Sequence, residues 1–194
     1  MQQNKLIIVS APSGAGKTTI VRHLLSLPLP LGFSVSATNR TPRPGEVDGR
    51  DYYFLPEKEF LFKIDEGAFL EWEEVYPGTF YGTLRSEVNR IWNQGRSVVF
   101  DVDVIGGLNI KKIYGDQALA IFVQPPSVDA LRQRLRSRST ESEEKIATRI
   151  AKAEYELSFS PDFDVILIND QLEDALAEVE DIVREFLDIR GKDV

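Results

Sequence analysis

The stretch Leu6-Ile7-Ile8-Val9-Ser10-Ala11-Pro12-Ser13-Gly14-Ala15-Gly16-Lys17-Thr18-Thr19 decides how the rest of the chain is read. Its first four residues form a continuous apolar run, the mark of a strand buried on both faces in a parallel sheet. The next run, Ile20-Val21-Arg22-His23-Leu24-Leu25, has a helical pattern. Strand, glycine-bearing loop and helix in that order are the layout of a phosphate-binding loop. At Gly14 and Gly16 the missing Cβ lets main-chain N–H groups turn inward around an anion, and the positive end of the helix faces the same point. Lys17 can then reach the β- and γ-phosphates of a nucleoside triphosphate, and the Thr18 hydroxyl can ligate Mg²⁺. The strict pattern has glycine where Ala11 stands. Alanine is compatible with the loop if the backbone beside Pro12 is extended rather than left-handed.

Working outward, composition narrows the chemistry. The 194 residues suit one domain with insertions, and 42% hydrophobic with 28% charged residues is an ordinary globular balance. There is no cysteine, which excludes disulfides, thiolate catalysis and thiolate zinc sites. The one histidine, His23, leaves no His-rich metal site, so any metal should be a hard cation held by oxygens. A net charge of −8 disfavours a broad nucleic-acid surface. Anionic substrates must then be drawn in locally, by Arg40, Arg43 and Arg50 or by Arg132, Arg134, Arg136 and Arg138. No apolar run is long enough to span a membrane and the start has no leader pattern, so a cytoplasmic protein is expected.

Periodicity places strands at Lys5–Ser10, Phe33–Ala37, Tyr52–Leu55, Phe69–Tyr76, Ser97–Asp103, Ala118–Val123 and Asp164–Asn169. Helices are expected at Thr18–Leu27, Glu57–Glu66, Leu84–Gln94, from Ser127 onward, from a capping box at Thr140-Glu141-Ser142-Glu143 to about Ser158, and at Leu172–Phe186. Alternating strands and helices give a three-layer α/β fold with a parallel sheet. The aromatic strands between Tyr52 and Thr83 suggest a small inserted lobe covering a ligand. In open α/β sheets ligands sit at the carboxyl ends of the strands, which points Asp101 and Asp103 at the site of the phosphate loop. Arginines near residues 132–149 suit a lid that closes over phosphates, since arginine forks onto phosphate oxygens and a kinase must exclude water. No pattern for positioning an attacking water, as a GTPase needs, is found.

Several longer motifs, in order, resemble guanylate kinase: Ser34-Val35-Ser36-Ala37-Thr38-Asn39-Arg40-Thr41-Pro42-Arg43, Gly45-Glu46-Val47-Asp48-Gly49-Arg50-Asp51-Tyr52, Phe69-Leu70-Glu71-Trp72, Tyr81-Gly82-Thr83, Arg134-Leu135, Arg138-Ser139-Thr140-Glu141, Arg149 and Ile168-Asn169-Asp170. The resemblance runs from Leu6 to about Phe186. It implies ATP + GMP giving ADP + GDP with Mg²⁺, a core at about 1–33, 84–136 and 160–194, a GMP-binding lobe at about 34–83 and a lid at about 137–159. It also implies that Ser36, Arg40, Arg43, Tyr52 and Tyr81 hold the GMP phosphate, and that Glu71, Thr83 and Asp103 recognise guanine. By the same resemblance Arg138 and Arg149 meet the transferred phosphoryl with Arg134 nearby, and Asn169 and Asp170 meet adenine. A carboxylate at Glu71 makes chemical sense, because guanine presents N1–H and N2–H₂ donors side by side while adenine offers an acceptor at N1.

The sequence departs from the family at Ala11, at Ile105, where glutamine is frequent, and at Ser139, where glycine is frequent. Two other readings use the same motifs: a phosphopeptide-binding module without catalysis, and a kinase for a different small acceptor. Intact Gly16-Lys17-Thr18 argues against the first. Whether the chain acts as a monomer or a homodimer stays open from sequence.

Overall fold

In the computed structural model residues 4–138 and 143–189 are described. The chain builds β1 (Leu6–Ser10), α1 (Lys17–Ser26), β2 (Leu31–Phe33), β3 (Ala37–Thr38), β4 (Tyr53–Phe54), α2 (Glu57–Asp65), β5 (Phe69–Tyr76), β6 (Thr79–Leu84) and α3 (Arg85–Trp92). It continues through β7 (Ser97–Asp101), α4 (Val104–Tyr114), β8 (Ala118–Gln124), α5 (Val128–Arg138), α6 (Glu143–Leu157), β9 (Val165–Ile168) and α7 (Leu172–Phe186). Five strands form a parallel sheet in the order β2-β7-β1-β8-β9, and four form a mixed sheet in the order β4-β3-β6-β5.

Strand pleating explains the three layers. Successive side chains of β1 point to opposite faces, so Ile7 and Val9 pack with Ile20, Val21 and Leu24 of α1 and with Val179 and Val183 of α7. Leu6 and Ile8 pack on the other side with Val88 and Ile91 of α3 and Ile110 of α4. All four β1 residues named are fully buried. The mixed sheet has its own small core, where Phe60 of α2 stacks on Phe69 with ring centroids 4.4 Å apart. Leu131 and Leu135 of α5 pack against Ala153 of α6. Among the described residues no helix is long and apolar enough to cross a membrane.

Three sequence expectations need correction. Phe33–Ala37 is not one strand: β2 ends at Phe33 in the parallel sheet and β3 begins at Ala37 in the mixed one. Between them the chain changes sheets, and the Val35 N–H is taken by a side chain, Glu87 Oε1, at 3.1 Å. The strand expected to run to Asp103 stops at Asp101, because Asp103 caps the following helix by accepting from the Gly106 N–H at 2.7 Å. That helix, α4, was not anticipated: Gly106 and Gly107 interrupt its pattern. The expected capping box from Thr140 and the Ser139 position lie outside the described residues, as does the side chain of Arg138.

Glu87 fastens the two sheets together. Its side chain is 2% exposed and accepts from the Val35 N–H, from Tyr53 Oη at 3.0 Å and from Arg90 at 2.9 and 2.7 Å. Burial alone would push its pKa up, but these donors outweigh burial and hold it below the ordinary glutamate value.

Candidate active site

A cavity of about 470 Å³ opens between the phosphate loop and the mixed sheet. On one side, Gly14 and Gly16 adopt φ of 93° and 105°, left-handed values that strain any residue with a Cβ. Ala11 is not among the residues at positive φ, which is why alanine fits there. Buried Asn169 props the loop from beneath, its Nδ2 donating to Ala15 O at 2.7 Å. A Cβ on Gly16 would come within 2.3 Å of that nitrogen, so glycine is required for space as well as for φ. The first turn of α1 has neither a side-chain cap nor an acidic residue. Its N–H donors therefore suit an external anion.

The basic and hydroxyl groups of the loop converge on the end of β7. Lys17 Nζ lies 2.8 Å from Asp101 Oδ1 and donates to Val102 O at 2.7 Å. Thr18 Oγ1 donates to Asp101 Oδ2 at 3.3 Å. Asp101 thus sits with the phosphate loop, where the end of the strand points it. Two adjacent hard oxygens beside a phosphate-binding loop fit Mg²⁺. Among the described residues no group of three or more His, Asp or Glu could hold a metal, so such an ion would complete its shell with phosphate oxygens and water. From above, Arg149 of α6 donates to Ser13 Oγ at 2.9 Å, and Arg134 of α5 donates to Asn169 O at 2.9 Å and more weakly to Asp170 O at 3.5 Å.

The opposite wall is side-chain chemistry. Ser36, Arg43, Tyr52 and Tyr81 line it, with the two tyrosine rings edge to face at 5.9 Å. Arg40, expected beside them on a phosphate, is turned to Glu46, to which both terminal guanidinium nitrogens donate at 2.7 Å. That grip holds Glu46 far below the ordinary glutamate range, near 2. From there Arg40 also donates to Tyr81 Oη at 3.0 Å and lies 4.9 Å from the Tyr52 ring.

Deeper in, Glu71 of β5 stands opposite Thr83 of β6. Burial, aided by the nearby Asp103 carboxylate, pushes the Glu71 carboxyl up to about 7, with Thr83 opposing. Thr83 is itself fully buried. α4 approaches so closely that a Cβ on Gly106 would lie 2.8 Å from Glu71 Oε2. Glu73, two residues on along the same face, is likewise raised to about 7 by burial and by Asp103.

Sequence reading missed Glu73 and, among the residues that line the cavity, Val75, Tyr76, Val102 and Glu156. A carboxylate on a helix ordinarily signals a solvated face, so nothing in the pattern flagged Glu156. The alternation of β5, with Glu71, Glu73 and Val75 in phase, was the available signal for Glu73 and Val75, while Tyr76 falls on the opposite phase.

A parallel five-stranded sheet with its phosphate loop at the strand ends, faced by an inserted lobe across a shared cavity, defines a P-loop nucleotide-binding protein of α/β class. Comparison with known proteins narrows this. A profile of the family "Guanylate kinase" matches residues 3–186, so the chain belongs to the guanylate kinase family. It is 54% identical over 183 residues to the guanylate kinase of Bacteroides thetaiotaomicron, covering 94% of this chain and 90% of that one. The guanylate kinase of Porphyromonas gingivalis is 49% identical, with 94% and 98% covered. The crystal structure of guanylate kinase from Anaplasma phagocytophilum superposes with a TM-score of 0.74 at 26% identity, covering 95% of this chain and 87% of that one.

Proposed function

We propose that the chain is a guanylate kinase that moves the γ-phosphoryl group of ATP to GMP, giving ADP and GDP. The observation that carries this is that Lys17, at the start of α1, and Glu71, on β5 of the mixed sheet, open onto one cavity. One wall suits a triphosphate and the other a purine with paired donors.

On this reading the loop from Ala11 to Thr19 wraps the ATP phosphates with main-chain N–H groups. Lys17 exchanges Asp101 for β- and γ-phosphate oxygens. Thr18, with Asp101 behind it, helps hold Mg²⁺, which would neutralise phosphate charge when bound. Ser36, Arg43, Tyr52 and Tyr81 hold the GMP phosphate, while Arg40, fastened to Glu46, steadies Tyr81 and adds positive charge behind it. Glu71 accepts from guanine N1–H and N2–H₂, with Thr83 and Asp103 completing the base pocket. Arg149 and Arg138 meet the phosphoryl in flight, Arg134 lies beside them, and Asn169 and Asp170 border the adenine. Phosphoryl transfer gains mostly from such positioning and electrostatics. The core, the lobe at about 34–83 and the lid at about 137–159 act as three parts of one domain working in the cytoplasm.

The names of the relatives favour this over a phosphopeptide module or another acceptor. A coupled assay of ADP release tests it: GMP should stimulate turnover with ATP and Mg²⁺, and AMP should not. Absence of GMP-dependent turnover, or equal rates with AMP, would remove the reading.

A further inference from the structure

α6 lays one side over the cavity. Arg149, Lys152 and Glu156 follow at three- and four-residue spacing and so share a face. Arg149 meets Ser13 of the phosphate loop, and Lys152 Nζ stands 5.4 Å from the centre of the Tyr76 ring on β5. Glu156 lines the cavity itself.

Glu156 is 8% exposed, and its Oε2 has no hydrogen-bond partner. Its Oε1 has a loose contact of 3.8 Å with Lys152 Nζ, one turn away. A buried carboxylate oxygen without a donor costs stability, whereas a neutral side chain of the same shape would cost less. Burial raises the pKa of this carboxyl, and Asp103 adds to that, while Lys152, Lys17 and the Ser13 N–H favour the charged form. Two of those three, Lys17 and the Ser13 N–H, belong to the loop that would receive the nucleotide phosphates. Ser13, Lys17 and Glu156 line the same cavity, so the carboxylate is an anion placed beside an anion site's own donors.

We propose that Glu156 is an internal stand-in for a nucleotide phosphate, and that it and bound nucleotide exclude one another beside Ser13 and Lys17. The inference rests on reading Ala11–Thr19 as the nucleotide loop. It assigns Glu156 the setting of nucleotide affinity: the carboxylate must withdraw for ATP to enter, and it returns to help expel ADP. Because Arg149 lies on the same helix and touches the same loop, withdrawal of Glu156 would also reset the position of an arginine offered to phosphate.

The test is calorimetric titration of wild type and Glu156→Gln with ADP and, separately, with inorganic pyrophosphate, without GMP. Glu156→Gln should bind both roughly three- to tenfold more tightly, the size of one net hydrogen bond no longer competed for. Glu156→Met, similar in length and uncharged, should move the same way and guards against a folding artefact in the first variant. Unchanged or weaker binding of both ligands would overturn the inference while leaving the kinase reading intact. Weaker ADP binding with unchanged pyrophosphate binding would overturn it too, since the carboxylate would then grip sugar or base. Wild type that binds neither ligand would instead remove the nucleotide reading of the loop, and this inference with it.

Discussion

The two walls of the cavity bind by different physics. The phosphate-loop wall is main chain: left-handed glycines, uncapped helix donors and an asparagine prop. Its affinity is set by backbone shape, which has no pKa of its own. The lobe wall is side chain, and burial together with the neighbouring Asp103 carboxylate pushes the Glu71 and Glu73 carboxyls up to about 7. A triphosphate needs many donors in a fixed curve, which backbone supplies. A base needs a particular pair of acceptors, which a desolvated carboxylate supplies at a cost to the free protein.

The harshest way to break the comparison is Lys17→Ala, the one long side chain on which the main-chain wall depends. Turnover should fall by a factor on the order of 10²–10³, as when one transition-state donor is removed. An unchanged melting curve would show that the fold survives, and near-normal turnover would refute the role. Next comes Glu87→Ala, which strips the Val35 N–H, Tyr53 and Arg90 of a shared acceptor. Urea denaturation should report a loss of about 2–3 kcal/mol. Binding of ADP to the folded protein should change little, because none of these three partners belongs to the phosphate loop.

Glu71→Gln sharpens the contrast. The kcat/KM ratio of GMP to AMP should drop roughly five- to 150-fold, which is about 1–3 kcal/mol of discrimination. Unchanged selectivity would place guanine recognition elsewhere. The same substitution should raise stability at pH 8. A carboxyl whose folded pKa lies above its unfolded value loses native stability as pH rises from about 4.5 to about 7. The melting advantage of Glu71→Gln should therefore fade toward pH 5, and an advantage independent of pH would contradict the burial argument. The smallest effect is on binding: wild-type KM for GMP should rise as pH falls below about 7, by at most tenfold per unit, while KM for ATP changes less. GMP's own phosphate also titrates near 6, so the decisive quantity is the difference from Glu71→Gln.

The same division explains what could be read beforehand. The phosphate loop was legible because its geometry demands glycine at 14 and 16 and lysine at 17, a pattern few other structures need. Phe69–Tyr76 and Leu172–Phe186 match their expected limits because alternation and helical spacing are local properties. α4 was not legible, since Gly106 and Gly107 look like a loop. The fold uses them for close approach instead: a Cβ on Gly107 would lie 2.5 Å from Ser10 Oγ. Glu87 and Glu156 were overlooked because their burial is created by partners distant in sequence, Val35 and Tyr53 for one and the phosphate loop for the other. Arg40 was assigned from resemblance to a phosphate. Its grip on Glu46, six residues away, depends on a loop conformation that the sequence does not state.

The passage from β2 to β3 has a mechanical consequence. Where a strand crosses between sheets through ladder bonds, turning one sheet against the other means unzipping them. Here the Val35 N–H is carried by a carboxylate on α3, and Tyr53 hangs from the same group. On either side the main chain is still held, Ser34 N–H by Val99 O and Ser36 O by Tyr53 N–H, each at 2.9 Å, so a single carboxylate closes the one rung that the change of sheet leaves open.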